Sequence, residues 1–292
     1  LHPYYITGFS DAESCFFINV RPRPLSAKRE KGYAVEILFR INLSSKDKLL
    51  LEKIKDYFGV GRLLLQGNSA SYNVRSLSDL QVIVDHFDRY PLISNKYSDY
   101  ILFRQVFELI KQGQHLNDVG LKKIVSIKAV SNNGLSNKLK ELFPNVVPAL
   151  RSLIPSQEIP DPQWLLGFAE GEGHFYIKIS IKNQISFRFL VTQHTRDINL
   201  LQNIAIFFNC GKAVSRSNKN NISDFIVEKK QEIIKIVIPF FENYTLIGNK
   251  LNDYLDFKKA VELDLMCKTV GGNNAENLSE IKTLKQRMNF SR

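Results

Sequence analysis

The sequence predicts an α+β fold of two pseudo-symmetric αββαββα domains, each with a four-stranded antiparallel sheet. Three observations lead there. The phrase "YYITGFSDAESCFFINV" at residues 4–20 returns as "WLLGFAEGEGHFYIKI" at residues 164–179. The repeat then continues in order along the chain. Each copy passes from a helix-like opening into strict two-residue alternation, the period of a half-buried strand.

Gly8 answers to Gly167, and "FRINLSSKDKLLLEKI" (residues 39–54) to "FLVTQHTRDINLLQNI" (residues 189–204). Gly61 answers to Gly211, and "YPLISNKYSDYILF" (residues 90–103) to "YTLIGNKLNDYLDF" (residues 244–257). The offset changes only between elements, first across the longer basic loop "RPRPLSAKREKGY" of the first copy. Two long copies are a domain pair, not a solenoid of short stacked units. The division expected is residues 1–152, a proline-bearing linker 153–163 ("LIPSQEIPDPQ"), and residues 164–292.

Residues 3–13 and 162–172 read as helices, with Pro3 and Pro162 in their first turns. In the strand that follows the second, Phe175, Ile177, Ile179 and Ile181 point inward, and His174, Tyr176, Lys178, Ser180 and Lys182 outward. A two-residue turn at Asn183-Gln184 returns the chain, with Ile185, Phe187, Phe189 and Val191 inward and Ser186, Arg188 and Thr192 outward. The first half repeats this. Phe16, Ile18, Val20, Val35, Ile37, Phe39, Ile41 and Leu43 face in; Cys15, Phe17, Asn19, Arg21, Glu36, Arg40 and Asn42 face out. Ser45 and Thr195 are the expected N-caps of the next helices. Second hairpins follow near residues 61–76 and 211–228. "KLKELFPNVV" (residues 138–147) reads as a peripheral helix, and the tail "EIKTLKQRMNFSR" as a basic one.

With 292 residues, 44% of them hydrophobic, the chain can build a sizeable core, and its net charge of +11 favours a polyanionic partner. The outward sheet faces carry Arg, Asn and Gln, the side chains that read base edges in the major groove. Cys15, Cys210 and Cys267 are scattered without a CxxC pair, which predicts an intracellular, reducing setting and no structural zinc. No apolar run suits a membrane span, so no membrane is expected, and "LHPYYITGF" lacks the features of a secretory leader.

Gly8 and Ala12 share one helix face, as do Gly167 and Gly171. Small residues four apart let two helix backbones approach closely. The helices would then end side by side, bringing Glu13 and Glu172 together at two negative C-termini, an arrangement that calls for a cation. Paired carboxylates suit Mg²⁺ and metal-assisted phosphodiester hydrolysis. Asp11 and Glu170 face away from these acids and read as structural or solvated rather than as metal ligands. His2, His86 and His115 lack ligand spacing and read as structural or exposed.

"ITGFSDAES" (residues 6–14) and "LLGFAEGEG" (residues 165–173) resemble the two signature motifs of single-chain LAGLIDADG homing endonucleases, closest to those of fungal mitochondrial introns. The resemblance covers essentially the whole chain. It implies two αββαββα domains packed through the two motif helices, and a monomer that cuts both strands of a long asymmetric duplex DNA, its two saddle-shaped sheets lying in the major groove. Glu13 and Glu172 would hold the divalent metal, with the carbonyls of Ala12 and Gly171 completing the sites. Lys96 and Lys250 would support the two centres and Gln193 would order water, with Leu43 at its partner position. Mg²⁺ is the implied cofactor, with Mn²⁺ substituting and Ca²⁺ supporting binding without cleavage. The base or phosphate contacts expected are the outward residues above together with Arg23, Arg62, Gln66, Ser71, Asn73, Arg75, Lys212 and Arg216. The resemblance also implies a mitochondrial location and admits two alternatives: a maturase acting on the host intron RNA, and a nickase with one impaired centre. The motif's last position is Gly173 in one copy and Ser14 in the other; a need for positive φ there would strain Ser14.

Overall fold

The computed structural model describes residues 1–23, 32–131, 133–217, 221–269 and 274–288. Helix α1 (Pro3–Glu13) runs directly into β1 (Ser14–Pro22), which pairs with β2 (Tyr33–Ser44). Then come α2 (Lys48–Phe58), β3 (Arg62–Gln66), β4 (Ser69–Val74), α3 (Leu77–Arg89), α4 (Lys96–Lys111), α5 (Asp118–Val130) and α6 (Asn137–Leu142). The second half has α7 (Pro162–Glu172), β5 (Gly173–Ile179), β6 (Ile185–His194), α8 (Ile198–Phe208), β7 (Lys212–Ser215) and β8 (Ile222–Val227). It ends with α9 (Lys230–Glu232), α10 (Ile238–Asn243), α11 (Lys250–Thr269) and α12 (Asn274–Arg287). Both sheets are antiparallel, ordered β1-β2-β4-β3 and β5-β6-β8-β7. No helix of the described residues is long and apolar enough to cross a membrane.

The duplication is written in the core. Phe16 meets the rings of Phe39, Phe87, Tyr100 and Phe103, and Phe175 meets Phe189, Phe241, Tyr254 and Phe257 at the matching positions. These tilted and edge-on contacts close the apolar face of each sheet against its helices. Gly61 and Gly211 open β3 and β7 at φ of 81° and 72°, a conformation that L side chains rarely adopt. One shift of offset has a visible cause. Val74 and Val227 both pair in register with the matched Phe39 and Phe189, an offset of 153, while Tyr90 answers to Tyr244 at 154. The extra residue falls where α3 is one continuous helix but α9 and α10 are joined by a π turn, Ile233–Val237, just before Pro239. A π turn absorbs one inserted residue without breaking the helix.

By compactness the chain divides into Glu13–Ser156 and a unit joining Leu1–Ala12 to Gln157–Arg292. The sequence repeat and the compact unit thus assign α1 differently, because α1 packs on α7. A Cβ at Gly8 would stand 1.9 Å from the Trp164 carbonyl oxygen, and one at Gly167 would stand 2.1 Å from that of Tyr5. Only glycine permits such backbone contact. Around it lies a reciprocal pair of hydrogen bonds: the Trp164 indole donates to Asp11 at 2.9 Å, and the Tyr5 hydroxyl to Glu170 at 3.1 Å. Glu170 also accepts the Ile247 N–H at 2.6 Å. Burial raises its pKa, while the Ile247 and Gly248 amides act against that shift.

Several local expectations are corrected. The β5–β6 loop turns at Ile181-Lys182 rather than Asn183-Gln184, since Asn183 N–H closes onto the Ser180 carbonyl and Asn183 takes φ 56°. Ile181, expected inside, is therefore fully exposed. The caps are Ser44 and His194, one residue earlier than expected, because a 3₁₀ turn precedes each helix. α6 stops at Leu142, as Pro144 disfavours helical geometry at Phe143. Val35, expected inside, is half-buried, while Ala34 and Leu38 on the outward register are buried. Gly173 has φ −74° and Ser14 is not among the positive-φ residues, so the motif's end needs no positive φ. What limits Gly173 is space: a Cβ there would meet the Ala169 carbonyl oxygen at 2.5 Å. The tail helix α12 buries Ile281 and Leu284; residues 289–292 of the tail, residues 24–31 of the basic loop and the Cys267 side chain lie outside what is described.

Candidate functional site

The second half assembles a centre at the junction of α7 and β5. Glu172 ends α7, where the final carbonyls of the helix are unpaired by the helix itself. The Gln193 amide donates to Glu172 Oε1 at 2.8 Å from the end of β6. Lys250, the first residue of α11, donates Nζ to the Gly171 carbonyl at 2.6 Å and to that of Ala169 at 3.2 Å. The His174 ring Nδ1 lies 3.0 Å from the Glu172 carbonyl oxygen. Four of the residues singled out in the sequence, Gly171, Glu172, Gln193 and Lys250, thus converge although they come from three distant segments.

In the first half Glu13 ends α1, half-buried, and Lys96 opens α4. Leu43 stands half-buried on β2. Cys15, beside Glu13, feels the charge of Lys96, and burial raises its thiol pKa above the ordinary value. Ala12 is half-buried.

The donor set fits a hard divalent cation. Among the described residues no three His, Cys, Asp or Glu side chains gather as a metal cage. A carboxylate with a neighbouring backbone carbonyl is nonetheless the partial shell that Mg²⁺ accepts, because it keeps waters and takes phosphate oxygens from its substrate.

The outward faces follow the register. Cys15, Arg40, Asn73 and Arg62 stand in one cross-strand row over β1, β2, β4 and β3. Arg40 Nε donates to Asn73 Oδ1 at 2.9 Å, and Asn73 Nδ2 to Ser71 Oγ at 2.8 Å, so Asn73 is buried beneath its neighbours. Asn42 accepts from Ser69, and Arg21 pairs with Glu36 at 2.7 Å, the Arg21 hydrogen bond lowering the Glu36 pKa. Phe17, Arg23, Gln66 and Arg75 are exposed, and Asn19 is half-buried. On the second sheet Tyr176, Lys178, Ser186 and Lys212 are exposed, while Lys182, expected on the outward strand face, is exposed in the β5–β6 turn. Arg188 pairs with Glu228 at 2.7 Å. Ser180 serves the hairpin instead, accepting the Gln184 N–H. Thr192 and Arg216 both bond Asp224, an acid the sequence reading missed because its partners are on other strands. Lys128 of α5 was also missed; its ammonium lies 6.0 Å from the Phe17 ring centre. His86 is buried against Tyr57, away from any ligand cluster.

The two motifs and the fold have counterparts among known proteins. The sequence profile described as LAGLIDADG endonuclease matches residues 6–107 and 165–261. "Probable intron-encoded endonuclease 2" of Neurospora crassa is 36% identical over 277 residues, covering 90% of this chain, and the chain spans 60% of that relative's length. The crystal structure of the LAGLIDADG homing endonuclease I-GzeII in complex with its DNA target is 34% identical with a TM-score of 0.93, covering 100% of this chain and 99% of that one. I-SmaMI bound to uncleaved DNA target in the presence of calcium ions is 37% identical with a TM-score of 0.91, covering 99% of both chains. With both motifs matched and the full fold shared, the chain belongs to the LAGLIDADG endonuclease family.

Proposed function

We propose that this chain is a site-specific DNA endonuclease that binds a long asymmetric duplex as a monomer and hydrolyses a phosphodiester on each strand. The convergence of Gln193 and Lys250 on the Glu172 carboxylate and Gly171 carbonyl carries the reading. Glu172 with the Gly171 carbonyl, and Glu13 with that of Ala12, would hold Mg²⁺, or Mn²⁺ in its place. The bound ion supplies Lewis-acid activation of the phosphodiester and a nucleophilic water at neutral pH. Gln193 holds one carboxylate oxygen of Glu172 and fixes the direction of the other. Lys250 brings a positive charge to the helix end, where two carbonyls and a carboxylate would otherwise repel the phosphate. The halves 1–152 and 164–292 contribute one centre and one sheet each, and the outward Arg, Lys, Asn and Gln side chains contact bases and phosphates. The implied setting is the fungal mitochondrion.

Leu43 at the position of Gln193 makes the two centres unequal, so one strand is cut faster than the other. Selection of a randomised duplex library with Mg²⁺ tests the proposal. One long sequence cut on both strands is the expected result. Binding without cutting in Mg²⁺ or Mn²⁺ would turn the reading towards a binding protein or RNA maturase.

A further inference from the structure

An acid inside a DNA-facing surface is out of place, since it repels phosphate. Asp224 stands on the outward register of β8, opposite Thr192 of β6 and Val214 of β7. It is only 3% exposed. Arg216 grips it with two bonds, Nε to Oδ2 at 2.5 Å and Nη2 to Oδ1 at 2.6 Å. The Thr192 hydroxyl donates to Oδ1 at 2.6 Å and fixes the carboxylate from the other side. Burial works against the charge on Asp224, but the bonds from Arg216 and Thr192 outweigh it and hold its pKa below the ordinary value. The pair therefore stays ionised and nearly neutral in sum.

That geometry separates two possible uses of Arg216. A phosphate contact needs net positive charge and tolerates a mobile side chain. A base reader needs a guanidinium fixed in its plane, with one edge left for O6 and N7 of guanine. Here the charge is cancelled and the plane is fixed. Asp224 takes Nε and Nη2, Nη2 also reaches the Thr192 hydroxyl oxygen at 3.4 Å, and the Nη1 protons engage no group among the described residues. The Arg216 side chain is 33% exposed, open enough for a partner. Fixing the fork beforehand removes ordering entropy that a free arginine loses on binding. At the matching positions the first sheet holds Gln66 and Ser71; the arginine braced there, Arg40, is held through Nε by the neutral amide of Asn73, which leaves its charge uncancelled.

Resting on the DNA-reading function proposed above, we infer that Asp224 is a positioning residue that locks Arg216 to read one guanine of the second half-site. The test is base-preference profiling by binding selection from a randomised duplex library in Ca²⁺. It compares the wild-type chain, Asp224→Asn, Arg216→Ala and the double variant. One guanine position is expected to lose at least about tenfold in preference in Asp224→Asn, the lower part of what a good bidentate pair discriminates. The other positions should keep the wild-type preference, the salt dependence of affinity should steepen as the Arg216 charge is no longer cancelled, and the double variant should match Arg216→Ala in base preference.

An even loss of affinity at every position would make Asp224 merely structural and overturn the inference. So would a further change of preference when Asp224→Asn is added to Arg216→Ala, because Asp224 would then read a base itself. Arg216→Lys keeps the charge and lacks the fork, so it serves if the asparagine variant does not fold. It should lose the same guanine, and an unchanged profile overturns the inference. A wild-type chain that selects no sequence at all would overturn the DNA-reading function as well, which distinguishes the two failures.

Discussion

Gln193 and Leu43 occupy equivalent positions in the repeat, and only one can hold a carboxylate. If the amide is what orients Glu172, Gln193→Leu should slow cutting by the second centre by roughly 10–100-fold, the usual effect of losing a side chain that orients a metal ligand. Leu43→Gln should speed the other centre. Strand-resolved single-turnover kinetics on an end-labelled target would show both effects, and equal strand rates in every variant would remove the asymmetry. At this scale the acids stood out because each ends a repeated phrase, whereas the lysines and the glutamine were singled out only through the family resemblance. Asp224 was not. Its meaning depends on Arg216 across a hairpin and Thr192 on another strand, and no local pattern in the sequence brings the three together.

At the scale of elements, the two motif helices make the sharpest prediction. Gly8→Ala would press a methyl into the Trp164 carbonyl, a backbone group that cannot rotate away. The expected cost is roughly 3 kcal/mol, the upper range for overpacking a tight core, and is measurable as a lower urea midpoint. A variant as stable as the parent would mean that the helices are not in backbone contact. The Tyr5–Glu170 and Trp164–Asp11 bonds are replicas of each other, so Tyr5→Phe and Trp164→Phe should each destabilise by about 1–3 kcal/mol through an underserved buried carboxylate. The small-residue spacing forecast this approach, and alternation forecast the strand faces. Loop detail was less legible. The β5–β6 turn slipped two residues because Asn183 takes a left-handed conformation, which alternation cannot reveal. The π turn left only a one-residue change of offset as its trace.

For the whole molecule, stability should depend on pH through His86. It is buried, and burial together with Arg89 pushes its pKa down to about 3. The unfolded chain takes up this proton near pH 6.5, so its stabilising effect is complete above that value and fades as pH falls towards the folded value. Between pH 7.5 and pH 5 the loss attributable to this group is about 2 kcal/mol. Urea unfolding at both pH values should show it, and His86→Gln should flatten that part of the dependence; an unchanged slope in the variant would assign the effect elsewhere.

Conversion of a supercoiled plasmid carrying the selected target tests most directly whether the motif acids act through metal on DNA. Wild-type protein with Mg²⁺ should give linear product, and with Ca²⁺ a stable complex without cleavage. Glu172→Gln should give no linear product in Mg²⁺ while keeping its affinity in Ca²⁺. Full linearisation by Glu172→Gln, or loss of Ca²⁺-supported binding without loss of folding, would contradict the assignment of Glu172 as a metal-holding acid.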